Sequence, residues 1–362
     1  MNSFVDFVRR TRPPAKRRFH PPASPFNKAL VRSLTRTASS TKFLAALGLM
    51  IISIMISAFM VGGTRSWNKK SQYTVLIVFG DAKSVSHPLA LLSINGEGRT
   101  AATLRLPPTF MVETTHGYGQ YKSESLTGLA ELEKLPYSLV TQSLAMHIGV
   151  DIRDVIWVNS APMGSNEAKT SKDQQKTTLE SLRGILFQTL FFRARSTIAY
   201  GDRYAMWKFL GTLRKDEVTD LDMISSSMVQ HAGERYTLDA IHADPIIFQL
   251  FSDRTLRKEN LAVAVVNAAQ EPRLGTAVAR AFANMGVNVT SVSTANDVQE
   301  TTKLMYAQKQ FAPKKSSTTD LLLRTLGVSN RSTTLNEQQT LEYRADIVVV
   351  IGRDAARALR GE

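Results

Sequence analysis

The chain has no cysteine. That excludes disulfides, thiolate metal sites and cysteine nucleophiles. Acid is scarce at the amino-terminal end, where residues 1–42 carry ten Lys or Arg and a single acid, Asp6. Charge of either sign is missing from Phe43 to Gly63, a run of 21 residues. No spacing in the sequence matches a Ser-His-Asp set, paired carboxylates, a zinc motif or a dinucleotide glycine fingerprint. Those local signatures are therefore excluded, although residues distant in sequence can still converge in a fold.

What is present begins with that uncharged run. As a helix it would be about 32 Å long at ~1.5 Å per residue, against a hydrocarbon core of ~30 Å. Lys42 precedes it and Arg65 follows. A buried core helix rarely runs so far without a polar face. A cleaved signal peptide has a shorter apolar core and a small-x-small site, and no Ala-x-Ala follows here. The expectation is a retained single-pass anchor over residues 43–63. Basic residues stay on the cytoplasmic side, so the amino-terminus is expected inside and the rest outside the plasma membrane.

The 362 residues carry a net charge of +14, which at first sight suggests nucleic acid. Divided along the chain, residues 1–63 hold +9, residues 64–253 none and residues 254–362 +5. Most of the excess lies beside the inner membrane face, where anionic lipid attracts it. The charge is read as topology, with membrane lipids as partners and no nucleic acid expected. Residues 1–42 are proline-bearing and read as a mostly disordered basic tail. The alternative for that tail is a segment that binds DNA or a protein.

Residues 64–70 form a short link. A first α/β domain is expected over 71–253 and a smaller α/β sandwich over 254–362. Tyr73–Phe79 is a continuous apolar run typical of a buried strand. Leu89–Ile94 and Thr100–Leu106 flank Asn95-Gly-Glu-Gly98 and read as a hairpin, ended by Pro107-Pro108. Helices are expected over 126–133, 138–147 and 204–213, with a buried strand at 155–158. Residues 160–176 read as a flexible loop, followed by apolar residues at helical spacing from Leu179 to Leu190. In the second domain, strands at 261–266, 287–292, 303–307 and 347–351 alternate with helices at 274–285 and 321–326. The order is β-α-β-β-α-β. Ser317-Thr-Thr-Asp320 reads as a capping box.

Several stretches resemble the LytR-CpsA-Psr family of bacterial cell-envelope proteins. In the second domain they are Val265-Val266-Asn267, Leu274-Gly275, Val287-Asn288-Val289, Ala307, Leu326-Gly327 and Val348 to Asp354. In the first they are Leu91 to Asn95, Ala102 to Pro107, Gly117-Tyr118-Gly119, Lys122, Gly149 to Ile152 and Val158-Asn159. The resemblance covers residues 43–362. It implies a short inner tail, one membrane helix, an outer catalytic domain and a small LytR-type C-terminal domain. It also implies transfer of a glycopolymer from a polyprenyl-pyrophosphate carrier to the cell wall. Such chemistry needs arginines for pyrophosphate and a carboxylate for magnesium. The sequence departs from the family at those positions. His87 stands where an Asp is expected, and Pro108-Thr109 where an Arg-Asp pair is expected. The expectation is therefore a degenerate leading domain with no catalytic residue, no metal ligand and no cofactor. It would bind a wall polymer, a lipid-linked glycan or an envelope protein. Magnesium belongs only to the alternative, an active glycopolymer transferase.

Arg105, Lys122 and Arg183 are the candidates to hold a lipid-linked phosphate. The plainer reading is three solvated surface charges. Arg193 and Arg195 beside Phe191 and Phe192 could grip lipid headgroups, or form the polar end of an amphipathic helix. His87 before Pro88 reads as structural, with a metal ligand as the sharper alternative. The turn at Ala268 to Leu274 leads into a helix, but Glu271 opposes an anion there.

Overall fold

The computed structural model describes residues 42, 44–53, 67, 71–80, 86–135, 137–159, 171–191, 195–307, 316–327, 332–335 and 337–360. Residues 1–60 and 61–362 form separate compact units. In the first unit, residues 44–53 are helical (α1). Leu44, Leu49, Met50 and Ile52 of this helix are each more than half exposed. No helix among the described residues is long and apolar enough to cross a membrane. The remainder of the uncharged run, the basic tail before Lys42 and most of the link lie outside the described residues.

The second unit is built on two five-stranded sheets. The first uses β1 (Gln72–Phe79), β2 (Leu89–Asn95), β3 (Thr100–Arg105), β6 (Ile152–Val158) and β7 (Val218–Asp222), in the order β6-β1-β2-β3-β7. The apolar runs form the centre because both of their faces are covered. β1 and β2 are buried at every position. They pair antiparallel from Gln72↔Asn95 to Val78↔Leu89, and β2 turns back into β3 as the expected hairpin. β6 lies parallel to β1, and β7 lies parallel to β3.

Alternation along the strands divides the side chains between two layers. Leu76, Val78, Leu91, Leu104 and Trp157 face α2 (Leu126–Leu132), α3 (Ser138–Leu144) and α6 (Ala240–Phe251). Two small hairpins close the same side: β4 (Met111–Glu113) with β5 (Gln120–Lys122), and β8 (Val229–Ala232) with β9 (Arg235–Leu238). Val75, Ile77, Leu92, Ile94 and Ile156 face α4 (Ser171–Phe191) and α5 (Tyr200–Leu210). Helix α4 begins inside the segment read as a flexible loop, so residues 171–176 are a correction. Helix α5 starts at Tyr200, four residues ahead of the expected start.

The second sheet has the order β11-β10-β14-β12-β13. Its strands are β10 (Ala262–Asn267), β11 (Asn288–Thr294), β12 (Lys303–Tyr306), β13 (Ser332–Thr334) and β14 (Ile347–Ile351). α8 (Leu274–Met285), α9 (Ser317–Leu326) and α11 (Arg353–Arg360) pack on one face through Val278, Phe282, Leu322 and Leu359. The expected order is extended by β13, α10 (Glu337–Tyr343) and α11. α7 (Arg254–Glu259) leads into this sheet from α6.

The cap of α9 is a second correction. Ser316, one residue before the expected box, accepts from Thr319 N at 3.2 Å. The Glu259 carboxylate at the end of α7 takes Ser317 N at 2.7 Å and Thr318 N at 2.9 Å. Burial raises the Glu259 pKa, but these donors prevail and hold it below its ordinary value.

Candidate functional site

The positions where family ligands are expected lie at the start of β2 and the exit of β3. His87 is 1% exposed. Its Nδ1 is 2.9 Å from Thr127 Oγ1 of α2, and its ring stands edge-on to Trp157 at 5.3 Å. Its backbone N donates to Glu124 O. A Cβ on Gly80, which has φ of 126°, would stand 3.1 Å from the imidazole. The histidine is thus packed into the sheet from several sides, as its structural reading requires.

The exit of β3 is closed in a similar way. Ser123 Oγ donates to Pro107 O at 2.6 Å and reaches Pro108 O at 3.1 Å. Ser123 N donates to Phe110 O, and Tyr236 N donates to Thr109 O. The backbone here is tied to the β4–β5 and β8–β9 hairpins. Pro108 and Thr109 bring no charge to it. A divalent cation that prefers hard oxygen ligands finds a ring nitrogen already engaged by Thr127 and no carboxylate at these three positions. The residues present do not fit magnesium. Among the described residues, no cluster of three His, Asp or Glu is arranged to hold a metal ion.

The three candidate cations stand on three different elements. Arg105, at the end of β3, lies 3.6 Å from Asp220 and 3.9 Å from Asp222, both on β7. Asp220 also accepts from Thr103 Oγ1 at 2.5 Å and from Thr178 Oγ1 of α4 at 2.9 Å. A phosphate at Arg105 would meet two carboxylates there. Lys122 is exposed at the end of β5 and runs directly into Ser123. Arg183 is exposed on α4, with its guanidinium 6.0 Å from the Trp207 ring of α5. Asp220 and Asp222 were not legible as partners because their strand was not.

A cavity of about 300 Å³ lies between the β4–β5 hairpin, Met146-His147 and helices α8 and α11. Glu113, Gln120, Arg280 and Arg360 are among its polar lining, with Thr115, His147 and Thr237. The His147 Nδ1 accepts from Glu113 N at 3.4 Å. Burial, reinforced by the positive charge of Arg280, lowers the His147 pKa to about 4. The imidazole is therefore neutral at neutral pH.

Residues 260–354 match the family described as LytR cell envelope-related transcriptional attenuator. The carboxyl-terminal part of this chain is thus similar to a LytR-type C-terminal domain. In this domain the family match spans β10 to β14 and the first residues of α11. The chain is also similar in outline to solved structures. One is TagT bound to LI-WTA, at 12% identity and TM-score 0.38, covering 52% of this chain and 94% of that one. Another is TagV of B. subtilis, at 10% identity and TM-score 0.35, covering 50% and 95%. A third is the LytR-CPS2A-psr family protein YwtF (TagT) with bound octaprenyl pyrophosphate lipid, at 13% identity and TM-score 0.36, covering 52% and 93%. No curated protein matches the sequence.

Proposed function

We propose that the chain is a single-pass cell-envelope protein of the cytoplasmic membrane that binds a glycopolymer or its lipid-linked precursor without transferring it. The anchor is residues 43–63, the basic tail lies inside, and residues 71–362 lie outside. The charge asymmetry across the uncharged run supports the topology. The LytR-type domain supports the envelope setting. The carrying observation for the absence of chemistry is the closed network of His87 with Thr127 and Ser123 with the Pro107 and Pro108 carbonyls. Phosphoryl transfer depends on positioned cations and a metal that neutralise developing charge. Here the nearest matching arginine, Arg105, is already neutralised by Asp220 and Asp222.

The test uses the full chain in detergent with a polyprenyl-pyrophosphate-linked glycan, magnesium and peptidoglycan acceptor. Retention of the glycan on the protein, with none joined covalently to the acceptor, is the expected result. A covalent product would overturn the non-catalytic reading, and failure to retain the glycan would overturn the binding one. Protease added to intact cells should digest the LytR-type domain and spare the basic tail. Digestion of the tail alone would reverse the topology.

A further inference from the structure

Helices α4 and α5 leave an aromatic face uncovered. Phe187, Phe191 and Tyr204 are 41%, 59% and 41% exposed. Phe187 and Phe191 stand 4.6 Å apart, and Trp207 joins both helices at 6.3 Å from Phe187 and 6.1 Å from Tyr204. Soluble surfaces seldom gather large apolar rings in this way without a use. Around them cations outnumber acids. Arg183, Arg195 and Lys208 are exposed. Between Ser181 and Thr212 the sequence has five Lys or Arg and one acid, Asp202. That acid is 0% exposed and accepts from Trp67 N at 3.4 Å. The face does carry one exposed acid at its edge, Glu180 of α4, three residues before Arg183.

The chain's own course bears on what meets this face. Trp67 is 2% exposed and stands edge-on to Phe209 of α5 at 5.5 Å. The chain thus arrives on the same helix that carries Tyr204 and Trp207. Gly63, the end of the uncharged run, lies only four residue steps before Trp67. Fully extended, they reach about 14 Å.

We infer that the α4–α5 face is a membrane-seating surface, with Phe187, Phe191, Tyr204 and Trp207 at headgroup depth and Arg183, Arg195 and Lys208 among anionic headgroups. Tyrosine and tryptophan, with an apolar body and a polar tip, favour that depth, phenylalanine enters the headgroup–acyl boundary beside them, and basic neighbours add attraction to anionic lipid. A neutral or acidic protein surface would satisfy the rings or the cations. The bilayer satisfies both and is also where the uncharged run is proposed to end. The inference rests on the anchoring proposed above. It gives Arg183 a lipid headgroup as partner, not a phosphate inside a pocket.

The absence of cysteine makes the test direct. The full chain, carrying Gln188→Cys with a nitroxide on the exposed face of α4, is reconstituted in phosphatidylcholine vesicles containing phosphatidylglycerol. Glu234→Cys on the β8–β9 hairpin, across the sheet, is the reference. The label at 188 should be relaxed by oxygen dissolved in lipid and shielded from a water-soluble nickel chelate, with the reverse at 234. Arg183→Glu combined with Lys208→Glu should return the 188 label to water. Chain that floats with the vesicles while label 188 is as open to the chelate as label 234 overturns this surface and leaves the anchor. That is also the outcome expected if a protein partner covers the face instead. Chain that fails to float with the vesicles overturns both.

Discussion

A Cβ placed on Gly149 would come within 2.7 Å of the Cβ of Asn284. Gly149 ends the turn after α3 with φ of 88°, and Asn284 lies on α8 of the LytR-type domain. Asn284 Nδ2 donates to Ile148 O at 3.3 Å and to Asp244 Oδ1 at 2.8 Å. Gly149→Ala meets left-handed strain of about 1–2 kcal/mol per residue and overpacking of about 1–3 kcal/mol. A loss of about 2–4 kcal/mol in a denaturant titration is expected. An unchanged midpoint would mean the two helices do not approach this closely.

Arg280 grips Asp244 with two parallel bonds, Nε to Oδ2 at 2.8 Å and Nη2 to Oδ1 at 2.6 Å. Its Nη1 donates to His147 O at 3.1 Å. Both ion-pair side chains are 27% exposed, so solvent weakens the pair without cancelling it. Arg280→Ala should cost about 1–3 kcal/mol. In a double-mutant cycle with Asp244→Ala, the two losses should not add. Additive losses would show that the fork contributes nothing.

His147 sets an acid-side limit on stability. Its folded pKa is about 4, below its ordinary value, because burial and Arg280 both disfavour the imidazolium. As pH falls, the unfolded chain takes up this proton first. The neutral imidazole's contribution is complete above about pH 6.5, falls between about 6.5 and 4, and is level below that. The loss across this window is about 3 kcal/mol at ~1.4 kcal/mol per pH unit. Unfolding measured at successive pH values should show that slope, and His147→Gln should flatten it. An equal slope in the variant would assign it to other groups.

His87 separates a structural histidine from a catalytic one. His87→Ala removes a ring packed against Trp157 and leaves Thr127 without its partner. A loss of about 2–4 kcal/mol is expected, with glycan retention unchanged once the protein is folded. If stability held and retention vanished, His87 would belong to the binding site.

The central strands were legible because burial on both faces writes them as unbroken apolar runs. Tyr73–Phe79, Leu89–Ile94 and Ile347–Ile351 all appear where those runs lie. β7 was not legible. Val218-Thr-Asp-Leu-Asp222 is a sheet-edge strand with only Val218 fully buried, so neither a run nor a clean alternation marks it. Missing it concealed Asp220 and Asp222, and with them the surroundings of Arg105. α6 contains Pro245, which argues against a helix. The overlooked signal was Asp239 as its cap, accepting from Ile241 N, with Ala243, Ile247 and Phe251 recurring at one face. The start of α9 failed for another reason. Its cap borrows Glu259 from 57 residues upstream, and local spacing does not report such a partner.

That borrowed cap yields a further prediction. Ser316→Ala should cost about 1 kcal/mol, as N-cap losses do. Glu259→Gln should cost a similar amount by weakening its bonds to Ser317 and Thr318. Hydrogen exchange in the first turn of α9 should quicken in both variants, and unchanged protection in both would refute the capping role.

Ala145 comes from the segment beneath the first sheet, yet it is buried in the core of the second, where Met146 packs beside it. The LytR-type domain is therefore not a detachable appendage. A reading frame stopped after codon 259 would not yield a smaller working protein. It would strip the greasy underside of its neighbour bare, and the product should precipitate or be degraded.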